Sequence, residues 1–218
     1  MREHHLAVRR TARYYTIGSS GVDEVWIVCH GYAQLARHFL QRFAPLDDGS
    51  RFIVAPEALN RYYYETRPGV HSADARIAAT WMTREDREHE IDDYVAYLDQ
   101  LAAHVTAGAP KRVVALGFSQ GTATVSRWAA HGTARIDHVI LWAGPPAVEL
   151  EDTALALRGA RLTIVAGSSD SQFPDEQIEQ LEARLRAARV PHRLVRHSGG
   201  HAIEASAFAA VAGTVRGG

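Results

Sequence analysis

A chain of 218 residues, 46% of them hydrophobic, has the apolar content to bury a substantial core, which argues against a disordered tail or linker. Its formal net charge of -1 offers no electrostatic attraction for nucleic acid or an anionic membrane, so neither is expected as a partner. The single cysteine, Cys29, rules out an intramolecular disulfide. No run approaches the roughly 20 apolar residues of a spanning helix, and the first fifteen residues lack the apolar stretch of a signal peptide. A cytoplasmic enzyme without stable membrane insertion is the expectation.

The opening segment, LAVRRTARYYTIG, can supply one or two edge strands. VWIVCH (25–30) reads as a buried strand that carries Cys29 as a small hydrophobe, and a helical pattern follows near 33–44. RFIVAPE (51–57) and RVVALGFS (112–119) read as strands, the second running into a helical QGTATVSRWAAHG. HVILWAG (138–144) and RLTIVAG (161–167) are further strands. PDEQIEQLEARLRAARV (174–190) is a helix with Pro174 suited to its first turn. HRLVRHS (192–198) is the last strand and AIEASAFAAVAGTVR the last helix. Short buried strands alternating with helices imply β-α-β units, a mostly parallel central sheet and helices on both faces, in one domain spanning 1–218.

One stretch breaks this rhythm. More than fifty residues separate the strand ending near Glu57 from the one starting near Arg112. Their second half, 83–105, reads as a long helix capped by Thr83, with Ile91, Tyr94, Val95, Leu98 and Leu101 as its apolar stripe. The first half has no clear period. An excursion over 58–90 is therefore expected to form a minimal cap, with Tyr62, Tyr63, Tyr64, Trp81 and Met82 lining one wall of a substrate pocket and Phe173 closing the opposite side. The competing reading makes the same aromatics anchors of the loop.

The strongest chemical signal is Gly117-Phe118-Ser119-Gln120-Gly121, a G-x-S-x-G sequence between a strand and a helix. That context is what a nucleophile elbow requires: a tight turn lifts the serine hydroxyl from the sheet, and small residues flank it to avoid collisions. A serine hydroxyl needs a base. The elbow resembles that of the α/β-hydrolases, and the resemblance implies that the acid and then the histidine follow Ser119, at the C-terminal ends of strands. His201, after two glycines that follow the last strand, fits better than His197 within that strand; His131 and His138 flank a helix-to-strand loop and are expected in solvent. Asp170, three residues beyond Gly167, fits as the acid. Asp175 falls in the first turn of a helix, where an acid is stabilised for structural reasons, and Asp137 and Asp152 adjoin the wrong elements. The backbone N–H groups of Tyr32, after His30-Gly31, and of Gln120 are the expected oxyanion donors.

The HGY triplet, GFSQG, GSSDSQFP and the terminal SGGH together resemble the phospholipase/carboxylesterase family of small bacterial α/β-hydrolases, from about residue 24 to the end. The resemblance implies an α/β-hydrolase fold and a serine esterase acting on carboxylic esters of short to medium acyl chains, without a cofactor. It implies roles for Ser119, Asp170 and His201 as nucleophile, acid and base, with Phe173 and Pro174 matching the hydrophobe and proline after the acid. It departs from the family in HGYAQLA, where Gly-Asp is more usual after the hydrophobe, and in the 60–90 stretch. Dienelactone hydrolases are a further relative, with a cysteine where this chain has Ser119.

A small-molecule ester is thus the expected partner, no metal is expected, and a homodimer is compatible with the sequence. A thioesterase or lysophospholipase on the same triad is the nearest alternative, because serine triads attack all acyl carbonyls. A non-catalytic binding module of the same fold would be expected to lack a triad member or an elbow glycine. A metalloprotein is disfavoured, since none of the twelve histidines forms HExxH.

Overall fold

In the computed structural model, which describes residues 1–64, 75–107 and 111–216, alternation within the strands sorts side chains onto two faces of one sheet. Strand β1 spans Tyr14–Ile17, β2 Glu24–Cys29 and β3 Phe52–Pro56, with a short helix α1, Ala36–Leu40, between β2 and β3. Strand β6, Arg112–Phe118, leads into α3, Gln120–His131; β7 is His138–Trp142, β8 Arg161–Gly167, α4 Asp175–Ala187, β9 His192–His197 and α5 Ala205–Arg216. The sheet order is β1-β3-β2-β6-β7-β8-β9, and every pairing is parallel except that of β1 with β3. In β2, Val25, Ile27 and Cys29 enter the core shared with α3 and α4, while Trp26 and Val28 enter the core shared with α1 and α5. A strand buried on both faces must be apolar throughout, which is why VWIVC carries no polar alternation. No helix among the described residues is long and apolar enough to cross a membrane.

The expected sheet, its edge strand and the helices on both faces are all present. The chain crosses from β3 on one side of β2 to β6 on the other, so strand order reverses between β2 and β6. Open α/β sheets bind ligands in the crevice outside such a reversal, at the strands' carboxyl ends. The loops beginning at His30 and Ser119 leave the sheet there.

The excursion differs from the aperiodic cap. Asn60–Tyr63 (β4) and Ile77–Thr80 (β5) form an antiparallel hairpin, pairing Tyr62 with Ala78 and Asn60 with Thr80. Residues 65–74 of the expected cap lie outside the described residues. The hairpin is stitched to the loop after β2: the Ala33 N–H donates to the Ala79 carbonyl at 2.9 Å. The alternation is hidden in the sequence because three consecutive tyrosines read the same whether half-buried, as Tyr62 is, or exposed, as Tyr63 and Tyr64 are. The following helix, α2, starts at Arg87 and runs to Val105, with Tyr94, Leu98 and Leu101 buried and Ile91 and Val95 packed at the edge of the same core. Thr83 does not cap it. The Thr83 hydroxyl closes a turn with Glu85, and Asp86 occupies the cap position.

Candidate active site

Ser119 sits between β6 and α3 with φ 53° and ψ -118°, a left-handed backbone that a serine adopts only under constraint. The constraint is close approach. A Cβ on Gly117 would lie 2.1 Å from the Gly121 carbonyl oxygen, and one on Gly121 would lie 2.2 Å from the Cys29 carbonyl oxygen. The two flanking glycines therefore allow α3 to turn directly over β6 and against β2. The Ser119 N–H donates to the Trp142 carbonyl at 2.9 Å, and the Thr122 hydroxyl lies 2.6 Å from the Ser119 carbonyl.

Asp170 follows β8 in a tight loop, and its carboxylate is completely buried. The Gln172 and Phe173 N–H groups donate to its Oδ1 at 2.8 and 3.1 Å. With one oxygen fixed, Oδ2 is aimed at His201, whose Nδ1 lies 2.8 Å away. His201 follows β9 on the Gly199–Gly200 loop. Its ring lies 5.0 Å from that of Phe118, the residue before Ser119, and the Trp142 indole N–H holds the next residue through the Ala202 carbonyl at 2.9 Å. Trp142 thus bonds both the serine loop and the histidine loop.

The rival residues are placed elsewhere. His197 ends β9, accepts the Gly199 N–H at Nδ1 and packs its ring 5.8 Å from Trp142. Asp175 is exposed and pairs with Arg196 at 2.5 Å. His138 corrects the expectation of solvent: it is buried in β7, with Nε2 2.8 Å from the Thr163 hydroxyl. Burial, with Arg161 and Arg112 nearby, lowers its pKa to about 4, so it is a neutral structural imidazole.

In the loop after β2, a Cβ on Gly31 would come within 3.3 Å of the Ser119 Cβ, which places this backbone beside the elbow. Gln34 turns the loop by accepting the Gly31 N–H at 2.9 Å. The N–H groups of Tyr32 and of Gln120, first residue of α3, have no backbone acceptor among the described residues.

The six expected pocket residues divide. Trp81 and Phe173, 1% and 0% exposed, are packed in the core and offer next to no surface for a substrate-pocket wall, which corrects that expectation; Trp81 borders the cleft beneath the N-terminal tail. The Trp81 indole N–H donates to the His30 carbonyl at 2.8 Å. Phe173 precedes the Pro174 cap of α4 and shares the core with Ile178, the arrangement of a hydrophobic staple that fixes the Asp170 loop. Met82 is half-buried, with its sulfur 3.4 Å from an Arg127 guanidinium nitrogen. Tyr62 remains at the surface side, its ring 6.1 Å from that of the exposed Tyr32; Tyr63 and Tyr64 are exposed farther along the hairpin.

Three features were not singled out from sequence. The Gln120 side chain receives the Trp81 N–H at 3.2 Å, lies 2.8 Å from the Thr80 hydroxyl and donates to the Met82 carbonyl at 3.2 Å, so the elbow itself pins the hairpin. His30, wholly buried, bonds the Gly31 carbonyl through Nδ1 and accepts the Ala58 N–H at Nε2; burial lowers its pKa to about 4. The buried Glu57 carboxylate pairs with Arg13 at 2.5 Å and receives the Ala36 N–H, joining the tail, β3 and α1. Only charge in an otherwise apolar strand end could have flagged Glu57.

Residues 23–210 match the sequence profile of the dienelactone hydrolase family. The chain belongs to that family. As a dienelactone hydrolase family protein it is an ester hydrolase, and this member carries a serine at its elbow. Its fold is shared with a carboxylesterase from Mesorhizobium loti, 20% identical, with 95% of each chain covered and a TM-score of 0.67. It is likewise similar to Zea mays acyl-protein thioesterase 2, at 15% identity over 94% of this chain and 98% of that one, TM-score 0.67. A phospholipase/carboxylesterase from Dyadobacter fermentans is 17% identical over 96% and 98% of the two chains, TM-score 0.63. At these identities the likeness is one of fold. No curated protein sequence matches the chain.

Proposed function

We propose that the protein is a serine hydrolase that cleaves small carboxylic esters, of short to medium acyl chain, through an acyl-enzyme intermediate. The observation that carries this reading is the 2.8 Å contact from His201 Nδ1 to a fully buried Asp170 carboxylate, on the loop beside a strained Ser119. Donation from Nδ1–H to Asp170 leaves Nε2 of His201 with its lone pair free. Nε2 takes the Ser119 proton as Oγ attacks the ester carbonyl. The negative oxygen that forms is met by the Tyr32 and Gln120 N–H groups, two donors fixed by backbone before substrate arrives. Collapse expels the alcohol, which leaves with the proton from His201. Water then repeats the sequence on the acyl-enzyme, with His201 again the base. Asp170 keeps the imidazole in one tautomer and stabilises its charged form.

Beside this centre, the Tyr32 and Tyr62 rings offer apolar faces with polar tips, and we assign them to the substituent that leaves or stays at the carbonyl. A panel of p-nitrophenyl esters of increasing acyl length, followed from the first turnover, tests the reading. Turnover favouring short or medium acyl groups, with an initial burst of about one p-nitrophenol per chain where deacylation is slow, is expected. Absence of turnover on every ester would refute it.

A further inference from the structure

Far from the triad in sequence, two histidines and an acid meet where the N-terminal tail crosses the start of α2. His5 Nε2 lies 3.3 Å from Asp86 Oδ1, and His89 Nδ1 lies 2.7 Å from the same oxygen. The two imidazole rings stack with centroids 4.0 Å apart. One nitrogen or oxygen from each of the three residues lies within 4.8 Å of the others. We propose that His5, Asp86 and His89 bind a divalent transition metal ion of zinc's type, which staples the N-terminal tail to the head of α2.

The donor set suits such an ion, since imidazole nitrogen and carboxylate oxygen are zinc's usual non-thiolate ligands. Zinc bonds of about 2.0–2.2 Å in a tetrahedron set neighbouring ligand atoms about 3.3 Å apart. His5 and Asp86 already stand at that separation, and His89 needs to draw back by about half an ångström. Glu3, with Oε1 3.2 Å from His5 Nε2, offers a further carboxylate.

The state of Asp86 is the second observation. It occupies the N-cap of α2 yet makes no side-chain cap bond, and its backbone is left-handed at φ 50°. An aspartate at that position ordinarily caps the first turn. Here its carboxylate is turned to the two histidines instead. His89 lies three residues on, the spacing that puts both side chains on one face of the helix. No sequence motif announced this group, because His5 is some eighty residues from its partners.

The staple has something to hold. The tail is fixed at Arg13, whose carbonyl accepts the Glu57 N–H and the Tyr97 hydroxyl. Between Arg13 and His5 it arches over a cleft of about 1020 Å³ floored by α2 residues including Asp93, Tyr97 and Gln100. A metal at His5 closes the far end of that arch.

The test is calorimetric titration of Zn²⁺ into the untagged protein at slightly alkaline pH, since metal binding displaces protons from its ligands. One ion per chain is expected, with His5→Ala and His89→Ala each weakening binding by about tenfold or more. Zinc is also expected to slow trypsin cleavage after Arg9 and Arg10 in the parent protein and to leave it unchanged in His5→Ala. Both variants should hydrolyse a neutral ester like the parent in metal-free buffer, which certifies their fold. If either variant titrates like the parent, or zinc gives the tail no protection, the site is refuted.

Discussion

The serine turn and the β4–β5 hairpin both announced themselves by residues out of place in the sequence, yet the structure uses them differently. At the turn and the acid loop, close backbone approach and backbone N–H groups do the fixing. Gly117 and Gly121 let two main chains touch, and two N–H groups three residues or fewer from Asp170 fix its carboxylate. In the hairpin, the signal was aromatic composition alone, and the structure spends Trp81 on packing. A stereochemical requirement written over five residues has few solutions. An aromatic residue has many, since the same ring can wall a pocket or fill a core.

The largest effect is expected at the serine turn. Ser119→Ala should lower kcat on the order of 10⁴-fold or more while leaving the melting temperature in place, and His201→Ala should match it. Asp170→Asn should cost about a hundred- to ten-thousandfold, and His197→Ala should leave turnover largely intact. Steady-state rates beside thermal melts check all four. A dead His197→Ala or a fully active Asp170→Asn would undo the assignment of base or acid.

The hairpin should respond in the opposite currency. Trp81→Ala removes a sealed side chain and the indole bond to His30, and should destabilise by about 3–5 kcal/mol, read as a lowered denaturant midpoint. Acyl-length preference should not move. A shift in preference at unchanged stability would return Trp81 to the pocket wall.

Acid should separate structural histidines from the site. His30 and His138 have folded pKa values lowered to about 4, so the unfolded chain takes up their protons first. The stability gained by keeping them neutral is complete above the unfolded value near 6.5 and is lost as pH falls from about 6.5 toward 4. The loss approaches about 3 kcal/mol for each at the bottom of that window. Denaturant melts across pH 4–7 check this, and replacing His138 with a neutral residue should flatten part of the slope.

The smallest effect lies where the two regions join. Gln120→Ala keeps the backbone N–H and deletes the side-chain bonds to residues 80–82, so it should cost about 1–2 kcal/mol of stability and only a few-fold in kcat. A loss of activity rivalling Ser119→Ala would mean that the hairpin's seating governs the chemistry.

What was legible in the sequence follows the same division. The succession of strands and helices, the edge strand β1 and the sequence Ser119, Asp170, His201 rest on local period and spacing, and the structure brings Asp170 and His201 into contact on the loops beside Ser119. The hairpin was missed because its strands are four residues long and tyrosine masks alternation. His138 was misplaced because its neighbours in sequence are turn-like, while its burial is decided across the sheet by Thr163. Thr83 lost the cap to Asp86 because its hydroxyl closes a separate turn with Glu85, two residues on. Glu57 and His30 act through partners twenty or more residues away, a distance that local pattern cannot span.

The most direct test of the central claim is labelling with a fluorophosphonate probe, followed by intact mass and peptide mapping. A single adduct on Ser119, absent from Ser119→Ala and slowed in His201→Ala, is the result expected of a serine activated by that histidine. An unlabelled chain, or an adduct on any other residue, would contradict it.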